Sequence, residues 1–256
     1  MVQYNPLQSL PTAEDLPETD HKPVDSQLQV LIASLLDDIL CWIWRSRTDW
    51  FWGINMGIYY DLQKSVIVPD GFLCLGVERL PRPGGRLSYV VWQEGGIVPL
   101  LAVEYVSKAY GGEYDTKMQD YANVGVMYYV IYNPEYTQRH KHNSFEVYRL
   151  LNGTYVLQSG EPFWMPEIGL GIGTEQGTYR GWNREWLYWY DQEGNRFPSQ
   201  SELTERVERQ AEQAQQQLEQ ERSRADQERS RADQERQIRE ELIAKLRERG
   251  IDPDAL

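Results

Sequence analysis

Cysteine is scarce. Cys41 and Cys74 are the only two in 256 residues, which leaves no disulfide framework and no zinc-binding spacing. Both lie in apolar runs, so buried free thiols are expected, in keeping with a reducing compartment. Positive charge is also in short supply. Against 39 Asp and Glu stand 26 Lys and Arg, for a net charge of −13. Proteins that hold DNA through its phosphates normally present a basic face, so DNA affinity here needs a local basic patch or a partner. Long apolar runs are missing too. The most apolar stretch, 30–44, is too short to span a membrane and is interrupted by Asp37 and Asp38. The opening Met1-Val2-Gln3-Tyr4-Asn5-Pro6 carries no basic-and-apolar signal. A soluble, cytoplasmic protein is the expectation.

What the chain does have is aromatic bulk: nine Trp and seventeen Tyr. With 41% hydrophobic residues, this is enough for one sizeable core with something extra attached. The aromatic residues are expected to pack that core, mostly between 40 and 190. Residues 1–23 are polar and Pro-rich and read as an extended arm. From Val24 the spacing of Leu28, Leu31, Ile32, Leu35, Leu36, Ile39 and Leu40 predicts a helix, with Asp25 and Ser26 as N-cap candidates. Period-two patterning predicts strands near 50–59, 65–69, 72–75, 88–92 and 97–106. Gly111-Gly112 precedes a predicted helix over 113–124, with Gly125 at its C-terminal cap. Tyr128-Tyr129-Val130-Ile131-Tyr132 reads as a strand. A hairpin of 145–151 and 155–157 is expected to turn at Asn152-Gly153. This order describes an α/β fold with a mixed β-sheet core flanked by helices rather than a doubly wound fold. The main domain is placed at 24–198.

After residue 198 the composition changes. From 201 to 249 there is no Gly, Pro or aromatic residue, and Ser-Arg-Ala-Asp-Gln-Glu-Arg occurs at 223–229 and again at 230–236. A seven-residue period predicts a long helix over the charged tail, 199–256, with coiled-coil tendency. Its best seam is Ala211, Ala214, Leu218, Ala225, Ala232, Leu242 and Leu246. Glu221, Glu228 and Glu235 fill the alternate core positions, which weakens pairing and leaves a solvated helix as the other reading. Gly250-Ile251 before Asp252-Pro253 marks a helix stop.

The chemistry centres on residues 66–117. Asp70 follows Val66-Ile67-Val68-Pro69, Glu104 follows Leu100-Leu101-Ala102-Val103, and Lys117 ends Glu113-Tyr114-Asp115-Thr116-Lys117. A carboxylate in an apolar strand is costly unless a cation or hydrogen bonds satisfy it. Two converging carboxylates beside a lysine can hold Mg²⁺ and activate water against a phosphate. Each residue has a plainer reading: a turn at Pro69-Asp70-Gly71, a structural salt bridge at Glu104, and a surface helix lysine at 117. His140-Lys141-His142 could chelate a metal but reads better as a solvated loop. Arg79, Arg82 and Arg86 read as a solvated turn rather than phosphate ligands. Gly169-Leu170-Gly171-Ile172-Gly173 lacks the strand-to-helix context of a nucleotide loop.

Val-Pro-Asp, Val-Glu-Tyr-Val-Ser, Asp-Thr-Lys-Met-Gln-Asp-Tyr and Gly-Val-Met-Tyr-Tyr-Val-Ile-Tyr-Asn-Pro, in that order, resemble the Uma-type putative restriction endonuclease family of the PD-(D/E)XK nuclease superfamily. The resemblance covers roughly 24–175 and includes the segment 166–171. It implies a restriction-endonuclease-like fold, a DNA substrate and Mg²⁺, or Mn²⁺, as cofactor. It assigns Asp70 and Glu104 as metal-binding acids and Lys117 as the catalytic lysine. The superfamily's usual lysine position, two residues after the second acid, holds Val106 here, and migration of the lysine to the next helix is a known variation. Lys108 is a second, lower-ranked basic candidate. The first-helix acid of many superfamily members is expected near position 27, where this chain has Gln27; Asp25 is the nearest substitute. Family members often carry charged helical tails. The chain is therefore expected to be a Mg²⁺-dependent deoxyribonuclease. The alternative is an inactive nuclease-fold scaffold that assembles, with itself or a partner helix, through its tail.

Overall fold

In the computed structural model the described residues are 11–12, 27–80, 83–108 and 111–248. The chain divides into two compact units, Met1–Ser201 and Glu202–Leu256. Helix α1 (Gln27–Ile43) follows the spacing read in the sequence, burying Leu31, Ile32, Leu35, Leu36, Ile39 and Leu40. Each such burial stabilises the fold by about 1.5–3 kcal/mol. The proposed caps Asp25 and Ser26, and most of the proposed arm, lie outside the described residues. So do Arg82 and the helix stop at 250–253.

The main sheet has six strands in the order β1 (Trp50–Ile54), β3 (Gly71–Leu75), β5 (Leu101–Tyr105), β6 (Tyr128–Tyr132), β7 (Phe145–Leu151) and β8 (Thr154–Leu157). Only β5 and β6 run parallel, joined by helix α2 (Thr116–Val124); the other neighbours are antiparallel. The fold is thus mixed α/β, as the order of elements implies. The predicted strand 50–59 breaks where Asn55 takes a φ of 46°. The remainder forms β2 (Ile58–Tyr59), which pairs in parallel with β4 (Tyr89–Val90). Of the predicted strand 65–69 only a bridge from Ile67 to Ile58 is left.

Side chains alternate across a strand, so the sheet has two apolar faces. One, carrying Leu73, Leu101, Val103, Tyr105, Val130 and Tyr132, packs with α1. The other, carrying Phe72, Cys74, Ala102, Tyr129 and Ile131, packs with Tyr121 and Val124 of α2. A three-stranded sheet absent from the sequence reading, β9 (Phe163–Met165), β10 (Leu170–Tyr179) and β11 (Trp182–Tyr190), shares the α1 core. Trp52 Nε1 of the main sheet donates to the Ala33 carbonyl at 3.1 Å, and Trp189 Nε1 of the small sheet to that of Leu36 at 3.0 Å. A short helix, α3 (Thr137–His140), links β6 to β7, and α4 (Gln200–Glu248) is the long C-terminal helix.

Two surface expectations are corrected. Arg79 and Arg86 are not a solvated turn. The Arg79 guanidinium lies 4.0 Å over the Trp50 ring, and the Arg86 side chain, 3% exposed, pairs through two nitrogens with Glu94 at 2.7 and 2.9 Å. Both guanidinium groups thus cover rings of β1, Arg79 that of Trp50 and Arg86 that of Phe51 at 4.4 Å. Of the two thiols only Cys74 is buried. Cys41 is partly exposed, because it falls beyond the α1 stripe and meets polar neighbours: Asp37 Oδ1 at 3.7 Å and the Arg79 guanidinium at 3.0 Å.

Candidate active site

Central strand β5 carries Glu104 with no exposed surface. Its apolar neighbours make that strand form, and they also leave the carboxylate dependent on what reaches it from above. Two side chains of α2 do so. Lys117 Nζ donates to Glu104 Oε2 at 2.9 Å, and the Tyr121 hydroxyl donates to Oε1. Lys117 and Tyr121 are four residues apart, hence on one side of the helix. The helix starts at Thr116 rather than 113, because Gly112 has a φ of +84° and Asp115 caps the Thr116 N–H. Gly125, at φ 91°, closes the other end.

Asp70 immediately precedes β3 and is 4% exposed. Gly71 pairs with Val103, so Asp70 is opposite Glu104 one step further along. Its Oδ2 accepts the Tyr105 backbone N–H at 2.6 Å, and its Oδ1 accepts from Gln29 Nε2 of α1. The turn reading of Pro69-Asp70-Gly71 does not hold. Gly71 opens a strand, and the glycine is needed because a Cβ there would lie 2.6 Å from the Trp52 ring. Burial, followed by repulsion from Glu104, pushes the Asp70 carboxyl well above the ordinary aspartate range; Lys117 and the two hydrogen bonds offset this only in part.

A third acid, Glu113, joins them. It is 3% exposed, and both its oxygens accept the Gly111 N–H at 3.1 Å. Burial raises its carboxyl too, against the opposing pull of its own backbone N–H and of Lys117. Burial works to lower the Lys117 ammonium, but Glu104, Asp70 and Glu113 together outweigh it and hold the lysine above its ordinary value. Lys117 is therefore a cation at neutral pH.

The structure thus brings Asp70, Glu104 and Lys117 into one cluster. Lys108 is exposed beyond β5. The first helix contributes a residue to the cluster, but it is Gln29 rather than the exposed Gln27, and it brings an amide rather than an acid. Gln29 and Glu113 were missed from the sequence. Gln29 lies three residues before Ile32 and seven before Leu36, at the edge of the α1 stripe, and Glu113 follows a Gly-Gly break; both are signals that could have flagged them. The solvated-loop reading of 140–142 is corrected at His142. Its ring stacks on Tyr114 at 3.7 Å and its Nδ1 is 3.1 Å from Glu146.

Among the described residues, no three His, Cys, Asp or Glu side chains are arranged as a metal-holding group. The donor set still suits a hard divalent cation. Three buried acids face one ammonium, and Mg²⁺ is commonly held through one or two carboxylates while keeping several waters. Each oxygen of Asp70 and Glu104 accepts one hydrogen bond and retains a further lone pair. Compared with known proteins, residues 19–175 match the model of the Uma2 family, described as putative restriction endonuclease. No curated protein matches the chain.

Proposed function

From a chain that belongs to the Uma2 family, we propose a divalent-cation-dependent endonuclease that hydrolyses DNA phosphodiester bonds at Asp70, Glu104 and Lys117. One observation carries the reading: a carboxylate with no exposed surface, paired to a lysine and set beside a second buried acid whose ionisation is disfavoured. Asp70 and Glu104 are the residues that would hold Mg²⁺ or Mn²⁺. The cation, when bound, makes a water acidic enough to serve as nucleophile and offsets charge on the phosphate. Gln29 and the Tyr105 N–H fix the Asp70 carboxylate, and Tyr121 fixes that of Glu104. Lys117, already protonated, is suited to donate to a phosphoryl oxygen as charge grows there, and not to take a proton from water.

Incubation of plasmid DNA with and without Mg²⁺ tests this. Asp70→Asn should abolish Mg²⁺-dependent cleavage while leaving the circular dichroism spectrum unchanged. Lys117→Ala should do the same, with some loss of stability because Glu104 is left unpaired. Cleavage that survives both substitutions would remove these residues from the site.

The long helix favours a second, compatible role in assembly. α4 runs for 49 residues, and its Val207, Leu218, Ile238 and Leu242 are more than half exposed. A helix of that length, polar nearly all round, gains little from burial by itself. Pairing of the seam with another copy would cover Leu218 and Leu242, together with Val207 one step before the seam begins.

A further inference from the structure

A second constructed cluster lies on the sheet face that carries the acids. Glu104 pairs with Ile131, and Ile131 with Glu146. Opposed residues share a face, so Glu104 and Glu146 occupy one row, two strands apart, a span of about 9.6 Å at ordinary strand spacing. Glu146 is 4% exposed. Its carboxylate accepts from the Tyr148 hydroxyl at 2.7 Å and from the Asn143 backbone N–H at 3.1 Å. Those two donors already give the buried carboxylate one partner per oxygen. The third, His142 Nδ1, is therefore not needed to satisfy Glu146; it is the histidine that gains a fixed position.

That position is held from two directions. The ring is parallel to Tyr114 within 4° at 3.7 Å, and the Tyr114 hydroxyl is in turn held by Asn133 Nδ2 at 3.2 Å. Asn133 has no exposed surface and accepts the Tyr136 N–H at 3.0 Å. A carboxylate only accepts, so Nδ1 is the protonated nitrogen and Nε2 is the free corner of the ring. The side chain is 31% exposed. Doubly protonated, the ring pairs with Glu146 on one side and donates outward on the other. Glu146 from β7 and Tyr114 from the turn before α2 touch the ring; Tyr148 and Asn133 hold those two side chains in turn. Exposed Lys108 and Lys141 follow β5 and β6, the two parallel strands, and so mark the same end of the sheet.

We propose that His142, oriented by Glu146 and Tyr114, is a phosphodiester contact that holds the substrate strand beside the scissile position. The choice of anion rests on the endonuclease reading. A strand advances 3.4 Å of helix axis per nucleotide, so one with its scissile phosphate at Asp70 and Glu104 reaches His142 within about three nucleotides. A single bound anion at the acids would have no use for a donor two strands away; a polyanion would.

The test is fluorescence anisotropy of a short fluorescein-labelled DNA duplex with the full-length protein at about pH 5.5, where an ordinary histidine carries both protons, over a series of salt concentrations. Ca²⁺ replaces Mg²⁺ throughout. His142→Gln should weaken binding several-fold and lower the slope of log affinity against log salt by about one. His142→Lys should restore both, and thermal unfolding of each variant should match the wild type. Equal affinity and slope for wild type and His142→Gln, or no binding by either, would overturn the contact. Cleavage is scored separately with Mg²⁺. A wild type that binds but does not cut would remove the nuclease reading and leave the contact standing.

Discussion

Asp70 connects stability to the proposed chemistry at the scale of one residue. A carboxyl raised in the folded state destabilises the fold when ionised. The penalty is absent below the ordinary aspartate value of 3.8, grows as pH rises toward the folded-state value, and persists above it. Without metal, Asp70→Asn should therefore raise the melting temperature at pH 7. The amide can still accept the Tyr105 N–H, and Gln29 can turn its own amide to match. A divalent cation should relieve the same penalty in the wild type. At a hundredfold excess over its dissociation constant it stabilises the fold by about 2.7 kcal/mol, or roughly 5–10 °C for a domain of this size. Differential scanning fluorimetry with Mg²⁺ and Mn²⁺ reads both effects. A cation shift that persists in Asp70→Asn would place the metal elsewhere. Glu104 was legible in the sequence because an acid in an apolar strand is conspicuous; Asp70 and Lys117, each with a plainer reading of its own, were singled out by the family resemblance. Gln29 was not legible, since an amide at a stripe's edge resembles any surface residue. Glu113 was passed over as the first residue of a helix that in fact starts three residues later.

At the scale of elements, α2 is the part on which the cluster depends, since it supplies both Lys117 and Tyr121. Its C-terminal glycine sits at φ 91°, and an alanine forced into that left-handed region loses roughly 1–2 kcal/mol. Gly125→Ala should lower the urea midpoint by a corresponding amount without changing the slope of the transition. An unchanged midpoint would mean that the helix end re-forms around the new side chain. That cap was legible, as were α1, β6 and the hairpin at Asn152-Gly153, whose residues both take positive φ. The sheet of β9, β10 and β11 was not. β10 opens Leu170-Gly171-Ile172-Gly173, its glycines paired with Tyr190 and Tyr188 of β11, so its apolar alternation is only two residues long and its glycines read as a loop. The bulk lies on the partner strand, and only their pairing exposes the strand period.

For the whole molecule, the question is what covers the tail. The sequence shows the seven-residue period, yet its seam alternates alanine with glutamate, and ion pairs such as Arg236 to Glu240 at 3.3 Å are exposed and stabilise a helix by only about 0.3–0.5 kcal/mol each. Such a helix is marginal when solvated along its whole length, and the larger side chains cluster toward its ends: Val207 and Leu218 at one, Ile238 and Leu242 at the other. If copies pair there, the alanine middle permits close approach while the ends supply the apolar area. Sedimentation equilibrium of the full chain should then give a mass above the 30.0 kDa of one chain, falling toward it on dilution. Leu218→Glu combined with Leu242→Glu should return the protein to a single chain, with fewer helical residues by far-ultraviolet circular dichroism. A monomer at all concentrations, with the tail's helicity intact, would make α4 a solvated strut. Cleavage by the double variant separates the two roles: activity retained by the single chain would locate the chemistry wholly within Met1–Ser201. Activity lost along with pairing would make assembly a condition of cutting.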